Sequence, residues 1–478
     1  MRASTLEKMP GFHIEHFGCR AARADGEAIA SNLRAMGERE PFAADVVIVN
    51  TCSVTAEADR AARAFIRRAH RRNPTAKIVV TGCYAQRAPD ELAAMAGVAA
   101  VVGNSHKALA PEIVRSLMRE TAPAERQQRE LVPVSALLAT SGERAPIWAD
   151  DRFAHSFLED APWAGTPLVP GELTRPNLKI QEGCGNRCTF CVIPFTRGPS
   201  RSLPYAAVMR RVEGFVAGGG KELVLSGINL GRWARDFEGA DRGTLAGLVR
   251  GILNETALPR LRLSSIEPMD WSEELIALVG EFGGKRLARH AHLPLQSGSD
   301  AVLRRMHRRY RPWHYAEKVE ALLRAAGPDL TLGADVMVGF PGETDSEFEE
   351  TVAFIRALPF GYLHLFPFSA RPGTPGWALH AESPVPQEAV EERMTALRAL
   401  AAEKTAAHRR QFVGREVEAI TLHTPAELAG RGSTAALAEN FLPVEICGSF
   451  AANRLLWLRA TALDSDGALR CEAVHDPR

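Results

Sequence analysis

The sequence predicts an α/β protein in three parts: an N-terminal open α/β domain, a partial (β/α)6 barrel and a small C-terminal β-barrel. Three observations carry this expectation. Apolar β-branched runs alternate with helical periods in residues 1–120, and the same alternation recurs through six strand–helix units in 176–411. Across 412–478 the helical period gives way to short apolar strands and glycine-containing turns. Residues 121–175, rich in Ala, Pro and Ser and without a period, read as a linker or insert.

In the first part Asp45–Asn50 and Ala76–Thr81 read as buried strands, and Glu57–Arg72, ended by Asn73-Pro74, as the helix between them. Strand, helix and strand with short connections imply a parallel sheet, whose ligands bind at the carboxyl ends of its strands. Cys52 and Cys83 fall at those ends. The expected barrel strands are Leu178–Gln181, Glu222–Gly227, Arg260–Ile266, His290–Leu295, Thr331–Val338 and Tyr362–Phe368. Thr344-Asp345-Ser346-Glu347 is a capping box that opens a helix with Phe348, Val352 and Ile355 on one face. Six units are too few for a full eightfold barrel. A long helix, Pro386–Gln411, leads into strands at Glu416–Leu422, Leu442–Ile446 and Leu455–Leu463.

Composition excludes several classes. Of 478 residues 46% are hydrophobic and 24% charged, a globular balance. No apolar run approaches the ~20 residues that span a bilayer, and Met1–Pro10 is polar, so a cytoplasmic location without membrane attachment is expected. The net charge of +1, from 58 basic and 57 acidic residues, rules out a uniformly basic nucleic-acid coat and leaves room for a local basic face. Eight cysteines are too few for a disulfide scaffold. In a reducing compartment, clustered thiols bind metal or do redox chemistry.

The sharpest signal is Cys184-Gly185-Asn186-Arg187-Cys188-Thr189-Phe190-Cys191, a C-x3-C-x2-C triplet just after the first barrel strand. Three thiolates on one loop can hold three irons of a cubane cluster and leave the fourth open to a ligand. A zinc site with a distant fourth ligand, or three inert buried thiols, are the other readings of the spacing.

At these residues the chain resembles the radical S-adenosylmethionine (radical SAM) superfamily. That likeness implies Cys184, Cys188 and Cys191 as ligands of a 4Fe–4S cluster. Its open iron is chelated by S-adenosylmethionine, which is cleaved to a 5′-deoxyadenosyl radical. The segments Phe17-Gly18-Cys19, Asn50-Thr51-Cys52-Ser53-Val54-Thr55 and Thr81-Gly82-Cys83-Tyr84-Ala85-Gln86 are in turn similar to the methylthiotransferase family. Spacings of 33 and 31 residues say little by themselves. The likeness implies that Cys19, Cys52 and Cys83 hold a second 4Fe–4S cluster, and that the C-terminal barrel is a TRAM domain.

Within that family, similarity runs toward the threonylcarbamoyladenosine tRNA methylthiotransferases. It rests on Lys179–Cys184, Ile193–Ser202, Leu225–Gly231, Leu263–Pro268, Pro294–Asp300 and Gly333–Thr344, and it departs from the family at Ala22, where an Asn is usual. The resemblance implies methylthiolation of C2 of N6-threonylcarbamoyladenosine beside the anticodon. One cofactor molecule would methylate a sulfur at the N-terminal cluster and a second would supply the radical. The implied partners are the tRNA anticodon loop, an external electron donor and a sulfur source. Isopentenyladenosine in tRNA, a ribosomal-protein aspartate, and a non-catalytic zinc-containing RNA-binding protein are the alternatives.

Strand-end groups are the natural cofactor contacts of such a barrel, which points to Gly227, Asn229, Ser264, Ser265, Gln296 and Ser299. Turn and cap chemistry would equally account for each of them. Three basic clusters are candidate RNA contacts: Arg60, Arg63, Arg67, Arg68, Arg71 and Arg72; Arg197, Arg201, Arg210 and Arg211; and Arg304, Arg305, Arg308, Arg309 and Arg311 with Tyr310 and Trp313. A solvated helix face is the plainer explanation for each. Cys447 and Cys471 are expected as small buried hydrophobes, and the histidines show no ligand-like pairing.

Overall fold

The computed structural model describes residues 11–119, 144–153, 174–239, 243–464 and 467–475. Two compact units result. The first comprises the described residues of Met1–Pro162 with Glu182–Gly185 and Val192–Pro199; the second, those of Trp163–Gln181, Asn186–Cys191 and Ser200–Arg478.

The first unit is built on a sheet of β1 (Phe12–His16), β2 (Val46–Thr51), β3 (Lys77–Gly82), β4 (Val98–Gly103) and β5 (Ile147–Trp148), in that order. Every pairing is parallel. All six residues of β2 are buried, as expected of a β-branched run covered on both faces. Helix Ala56–Arg72 starts at Thr55, whose side chain accepts from Ala58 N, and stops at Asn73. It turns Ala62, Phe65, Ile66 and Ala69 inward, and burying Phe65 or Ile66 contributes about 1.5–3 kcal/mol each. β1 and β4 were not anticipated. Most of the linker expected at 121–175 lies outside the described residues; the described part supplies β5.

The second unit carries the six expected parallel strands. β6 (Asn177–Glu182), β8 (Glu222–Gly227) and β9 (Arg260–Leu263) pair in parallel, with β7 (Arg201–Ser202) at the edge beyond β6. β10 (His290–His292), β11 (Thr331–Val338) and β12 (Phe360–Pro367) form a second parallel group. Between β9 and β10 the ladder is irregular. Ala288 N donates to Leu261 O and Ile266 N to His292 O, at 2.9 and 3.0 Å. The capping box at Thr344 and Glu347 is present and opens helix Asp345–Ala357.

Helix Gln387–Arg410 leads to the closed barrel β13 (Glu416–Thr421), β14 (Ser433–Ala438), β15 (Pro443–Cys447), β17 (Leu469–His475) and β16 (Leu455–Leu463), in that spatial order. β14 and β17 escaped the sequence reading. Cys471 sits in the barrel core as expected, whereas Cys447 is exposed because it ends β15 facing outward. The β14–β15 hairpin places Phe441, at φ +70°, against His290 and over Arg262. Beneath it Glu222 joins Arg175, Arg260 and Arg262 in a buried ion network.

Candidate functional site

The first unit gathers three cysteines at the carboxyl ends of neighbouring strands. Cys19 lies three residues beyond β1, Cys52 directly follows β2 and Cys83 directly follows β3. The loops are pinned to one another. Thr51 Oγ1 donates to Thr81 O at 2.5 Å and accepts from Ala85 N at 3.3 Å; Asn50 Nδ2 donates to Ala22 O at 2.5 Å. Gly82 has φ +99°, and a Cβ there would meet Thr51 O at 2.3 Å, so the turn into Cys83 requires glycine. Arg87 ties the Cys52 loop to the helix that begins at Cys83, through Ser53 Oγ at 2.7 Å and Asp59 at 2.9 Å.

These thiols are free, Cys52 and Cys83 buried and Cys19 exposed. Burial, reinforced by Cys83 and Cys19, pushes the Cys52 thiol up to about 12. Burial thus favours the neutral thiol of Cys52, and a bound cation would be needed to hold it as a thiolate. Donors already point at the sulfurs: Val54 N at Cys52 Sγ (3.5 Å), Asn104 Nδ2 at Cys83 Sγ (3.3 Å) and Arg197 Nε at Cys83 Sγ (3.2 Å). One tetrahedral zinc at Zn–S ≈ 2.3 Å would draw three sulfurs to roughly 3.8 Å of one another. Among the described residues, however, the three-residue set of ligand atoms within 4.8 Å is His292, Asp335 and His364, not these cysteines. A multi-iron cluster, in which each sulfur binds its own metal, does not ask the three sulfurs to converge on one point.

Each member of the triplet is half-buried, and none is in a disulfide among the described residues. Cys184 follows Gly183, whose φ of +72° and close approach to Pro199 O (1.9 Å from a Cβ) again exclude a side chain. Cys184 N donates to Gly198 O at 3.1 Å, and Cys191 N to Cys188 O at 3.1 Å. Thr189 bonds through its N to Met306 O (3.2 Å) and through Oγ1 to Arg305 O (3.0 Å). Arg308 Nη1 donates to Cys188 Sγ at 3.3 Å. Thiols that accept from a guanidinium suit a thiolate-bound metal group.

The strand-end candidates take distinct places. Gly227 lies against Gln181, whose Oε1 accepts from Asn229 N at 2.7 Å and whose Nε2 donates to Ser200 Oγ at 2.9 Å. Ser264 is buried and its N donates to Leu225 O at 3.0 Å; Ser265 is half-buried. Gln296 adopts φ +64°, strained for a residue with a side chain, and its buried Oε1 lacks a hydrogen-bond partner. Ser299 precedes helix Asp300–Arg305 without capping it, and its buried Oγ is likewise unpaired. Two buried polar atoms held ready at strand ends fit a polar ligand better than cap chemistry.

The basic clusters separate by burial. Arg60, Arg67, Arg68, Arg71 and Arg72 are exposed on their helix, while Arg63 pairs with Tyr84 and Glu91. Arg197 is fully buried, which removes it from the RNA-facing set. In the densest run Arg304 and Arg309 are exposed together with Trp313. Arg308 is buried against Glu267, and Tyr310 is buried with its hydroxyl donating to Leu295 O at 2.8 Å. Arg305 forks onto Glu347 at 2.6 and 2.8 Å, and Arg311 pairs with Asp300 at 3.1 Å. The run is therefore a structural brace whose two exposed cations, Arg304 and Arg309, lie 2.9 Å from Asp300 and 3.5 Å from Asp270.

Several site residues gave no sequence signal. His292 and His364 both reach Asp335, at 3.1 and 3.2 Å, and His292 Nδ1 meets Tyr362 Oη at 2.9 Å, which corrects the expectation that no histidines pair. Burial works to raise the Asp335 carboxyl, but hydrogen bonds from both histidines override it and hold it well below the carboxylate range. Its oxygens are each engaged by an imidazole, so this is a hydrogen-bonded relay across β10, β11 and β12. Asp25, Asn104, Lys107 and Glu182 also went unnoticed, since their partners lie far off in sequence; only Glu182, two residues before Cys184, stood in a flagged segment.

A parallel sheet with cysteines at its strand ends, joined to a six-stranded partial barrel opening on a C-x3-C-x2-C loop, defines a radical SAM enzyme with a second cysteine-bearing domain. Residues 11–103 match "Uncharacterized protein family UPF0004" and residues 178–355 the "Radical SAM superfamily". The chain is 34% identical over 443 residues to the threonylcarbamoyladenosine tRNA methylthiotransferase MtaB of Bacillus subtilis, covering 92% of this chain and 90% of that one. It is 33% identical to the same enzyme of Aquifex aeolicus over 86% of this chain and 92% of the relative. It is also 34% identical to a tRNA-2-methylthio-N(6)-dimethylallyladenosine synthase of Novosphingobium aromaticivorans, over 86% of each. The chain belongs to the radical SAM methylthiotransferase family. It is accordingly a transferase that uses S-adenosylmethionine and 4Fe–4S clusters. No described helix is long and apolar enough to cross a membrane.

Proposed function

We propose that the protein transfers a methylthio group to C2 of N6-threonylcarbamoyladenosine next to the anticodon of tRNA, in the cytoplasm. The observation that carries this reading is similarity along nearly the whole chain to relatives named for that reaction. The domains are read as 1–120, 121–175, 176–411 and 412–478. Cys184, Cys188 and Cys191 would hold one 4Fe–4S cluster, and Cys19, Cys52 and Cys83 the other. Gly227, Asn229, Ser264, Gln296 and Ser299 would contact S-adenosylmethionine. When bound, these groups would supply the radical and the methyl group and hold the sulfur brought by a separate source; acid–base chemistry does not break an aromatic C–H bond at neutral pH.

The chain's own residues bind and orient. Gln181 fixes the Gly227–Asn229 turn, leaving room for close backbone approach by a ligand. Buried Gln296 Oε1 and Ser299 Oγ offer an acceptor and a hydroxyl to polar groups of the cofactor. Exposed Arg304 and Arg309, beside exposed Trp313, suit phosphates and an unstacked base. Electrons and sulfur come from an external donor and a separate source.

The dimethylallyladenosine synthases, equally similar at 34%, keep isopentenyladenosine as the second substrate reading. Nucleoside mass spectrometry of tRNA from a deletion strain separates the two. The expected result is loss of the 2-methylthio-threonylcarbamoyl nucleoside with the isopentenyl derivative unchanged; the reverse pattern overturns the proposal.

A further inference from the structure

Within the first unit, four ionisable side chains are buried together behind Cys83. Arg197 Nη1 donates to Asp25 Oδ2 at 3.1 Å and to Glu182 Oε1 at 2.7 Å; Lys107 Nζ donates to the same two carboxylates at 2.8 and 3.0 Å. None of the four side chains is more than 4% exposed. Desolvating two cations and two anions costs about as much as their attraction returns, so the network adds little net stability. What it does achieve is to fix a cation in place. Arg197 Nε is left pointing at Cys83 Sγ, 3.2 Å away. Asn104 completes the arrangement, donating to the same sulfur at 3.3 Å and to Thr196 O at 2.9 Å.

The origin of these groups in the chain is informative. Glu182 stands two residues before Cys184, and Arg197 six residues after Cys191. The segments that bracket the barrel triplet thus converge on a thiol of the N-terminal set.

We infer that Arg197, seconded by Asn104, is a positioning residue that sets the reduction potential of the metal group held by Cys83. This rests on the reading of Cys83 as a cluster ligand. Reduction adds negative charge to a thiolate-bound cluster, and hydrogen bonds and cations at the ligand sulfur favour the reduced form. A cation anchored on two carboxylates cannot swing away, so its effect is built in. Lys107 and Asp25 hold the anchor.

The test uses the full chain, anaerobically reconstituted, with Cys184, Cys188 and Cys191 changed to Ala so that one cluster remains. Arg197→Met is paired with Glu182→Gln, so that one buried cation and one buried anion are removed together and Asp25 keeps Lys107. Iron is expected to stay at about four per chain. An EPR-monitored titration should show the midpoint lowered by a tenfold change in the one-electron equilibrium, about 59 mV. Asn104→Leu should give a smaller shift of the same sign, and Arg197→Lys should restore most of the original potential. Unchanged midpoints with intact iron overturn the inference; if the paired variant fails to fold, Asn104→Leu decides it alone. Cys83→Ala in the same background tests the underlying reading separately. Full iron retention there means that Cys83 is not a ligand, whatever Arg197 does.

Discussion

The two sets of three cysteines use the same device, the carboxyl end of a parallel strand, in opposite ways. The N-terminal set takes one thiol from the end of each of three neighbouring strands, so the sheet spaces them. Two of its members are buried, and Cys83 has two side-chain donors on its sulfur. The barrel set puts all three on one loop after β6, where the backbone spaces them and each remains half-exposed, with Arg308 donating to the sulfur of Cys188. The contrast matches a division of labour. A half-open loop leaves its three sulfurs alike within reach of a ligand, whereas the N-terminal set shields Cys52 and Cys83 and leaves Cys19 exposed.

Removing thiols gives the largest expected effect. Changing Cys184, Cys188 and Cys191 together to Ala should halve the iron of reconstituted protein, from about eight per chain to about four, and abolish formation of 5′-deoxyadenosine. Cys83→Ala should also lower the iron, yet leave cofactor cleavage measurable and stop methylthio transfer. If both variants lose cleavage alike, the two sets do not have separate tasks.

The same contrast explains what was legible in the sequence. The triplet shows itself because one loop imposes its spacing. Cys19, Cys52 and Cys83 do not, because a sheet brings together residues separated by whole strand–helix units. The β2–helix–β3 unit and the Thr344 capping box were readable from local periodicity and cap chemistry. β1, β4, β14 and β17 were not; the burial of β17, for example, depends on closing a barrel with β15 and β16. The pairs Lys107–Asp25 and Arg197–Asp25 span 82 and 172 residues, and no local pattern announces them. The run Arg304–Arg311 misled for a related reason. Its composition suits RNA, but a tight turn after helix Asp300–Arg305 drives Arg308 and Tyr310 inward.

Arg308 supplies the next prediction, intermediate in size. It pairs with Glu267 while only 4% exposed and also donates to Cys188 Sγ. Arg308→Ala would leave Glu267 without this cation, and breaking a buried pair costs about 3 kcal/mol. Urea denaturation of the reconstituted protein should show that loss. The salt dependence of tRNA binding should be unaltered by this change, whereas Arg309→Ala should reduce the slope by about one. A flattened slope with Arg308→Ala would return that residue to the RNA surface.

The smallest effect concerns how the barrel loop is held. Glu347, in the first turn of helix Asp345–Ala357, closes the capping box with Thr344 and also clamps Arg305 through two hydrogen bonds. Arg305 O in turn accepts from Thr189 Oγ1, between Cys188 and Cys191. A helix cap is thereby linked in three steps to the spacing of two thiols. Thr189→Val keeps the shape and removes only the hydroxyl donor, and a single hydrogen bond contributes about 1 kcal/mol. Because Thr189 N still donates to Met306 O, the loop should stay in place and keep its iron. The expected outcome is a fall of up to about fivefold in S-adenosylmethionine cleavage, the equivalent of that one bond, with the N-terminal cluster's spectrum unmoved. Loss of iron from the triplet would show that the side chain, rather than the backbone, sets the separation of Cys188 and Cys191. The half-open loop would then depend on its neighbours as closely as the N-terminal set depends on its sheet.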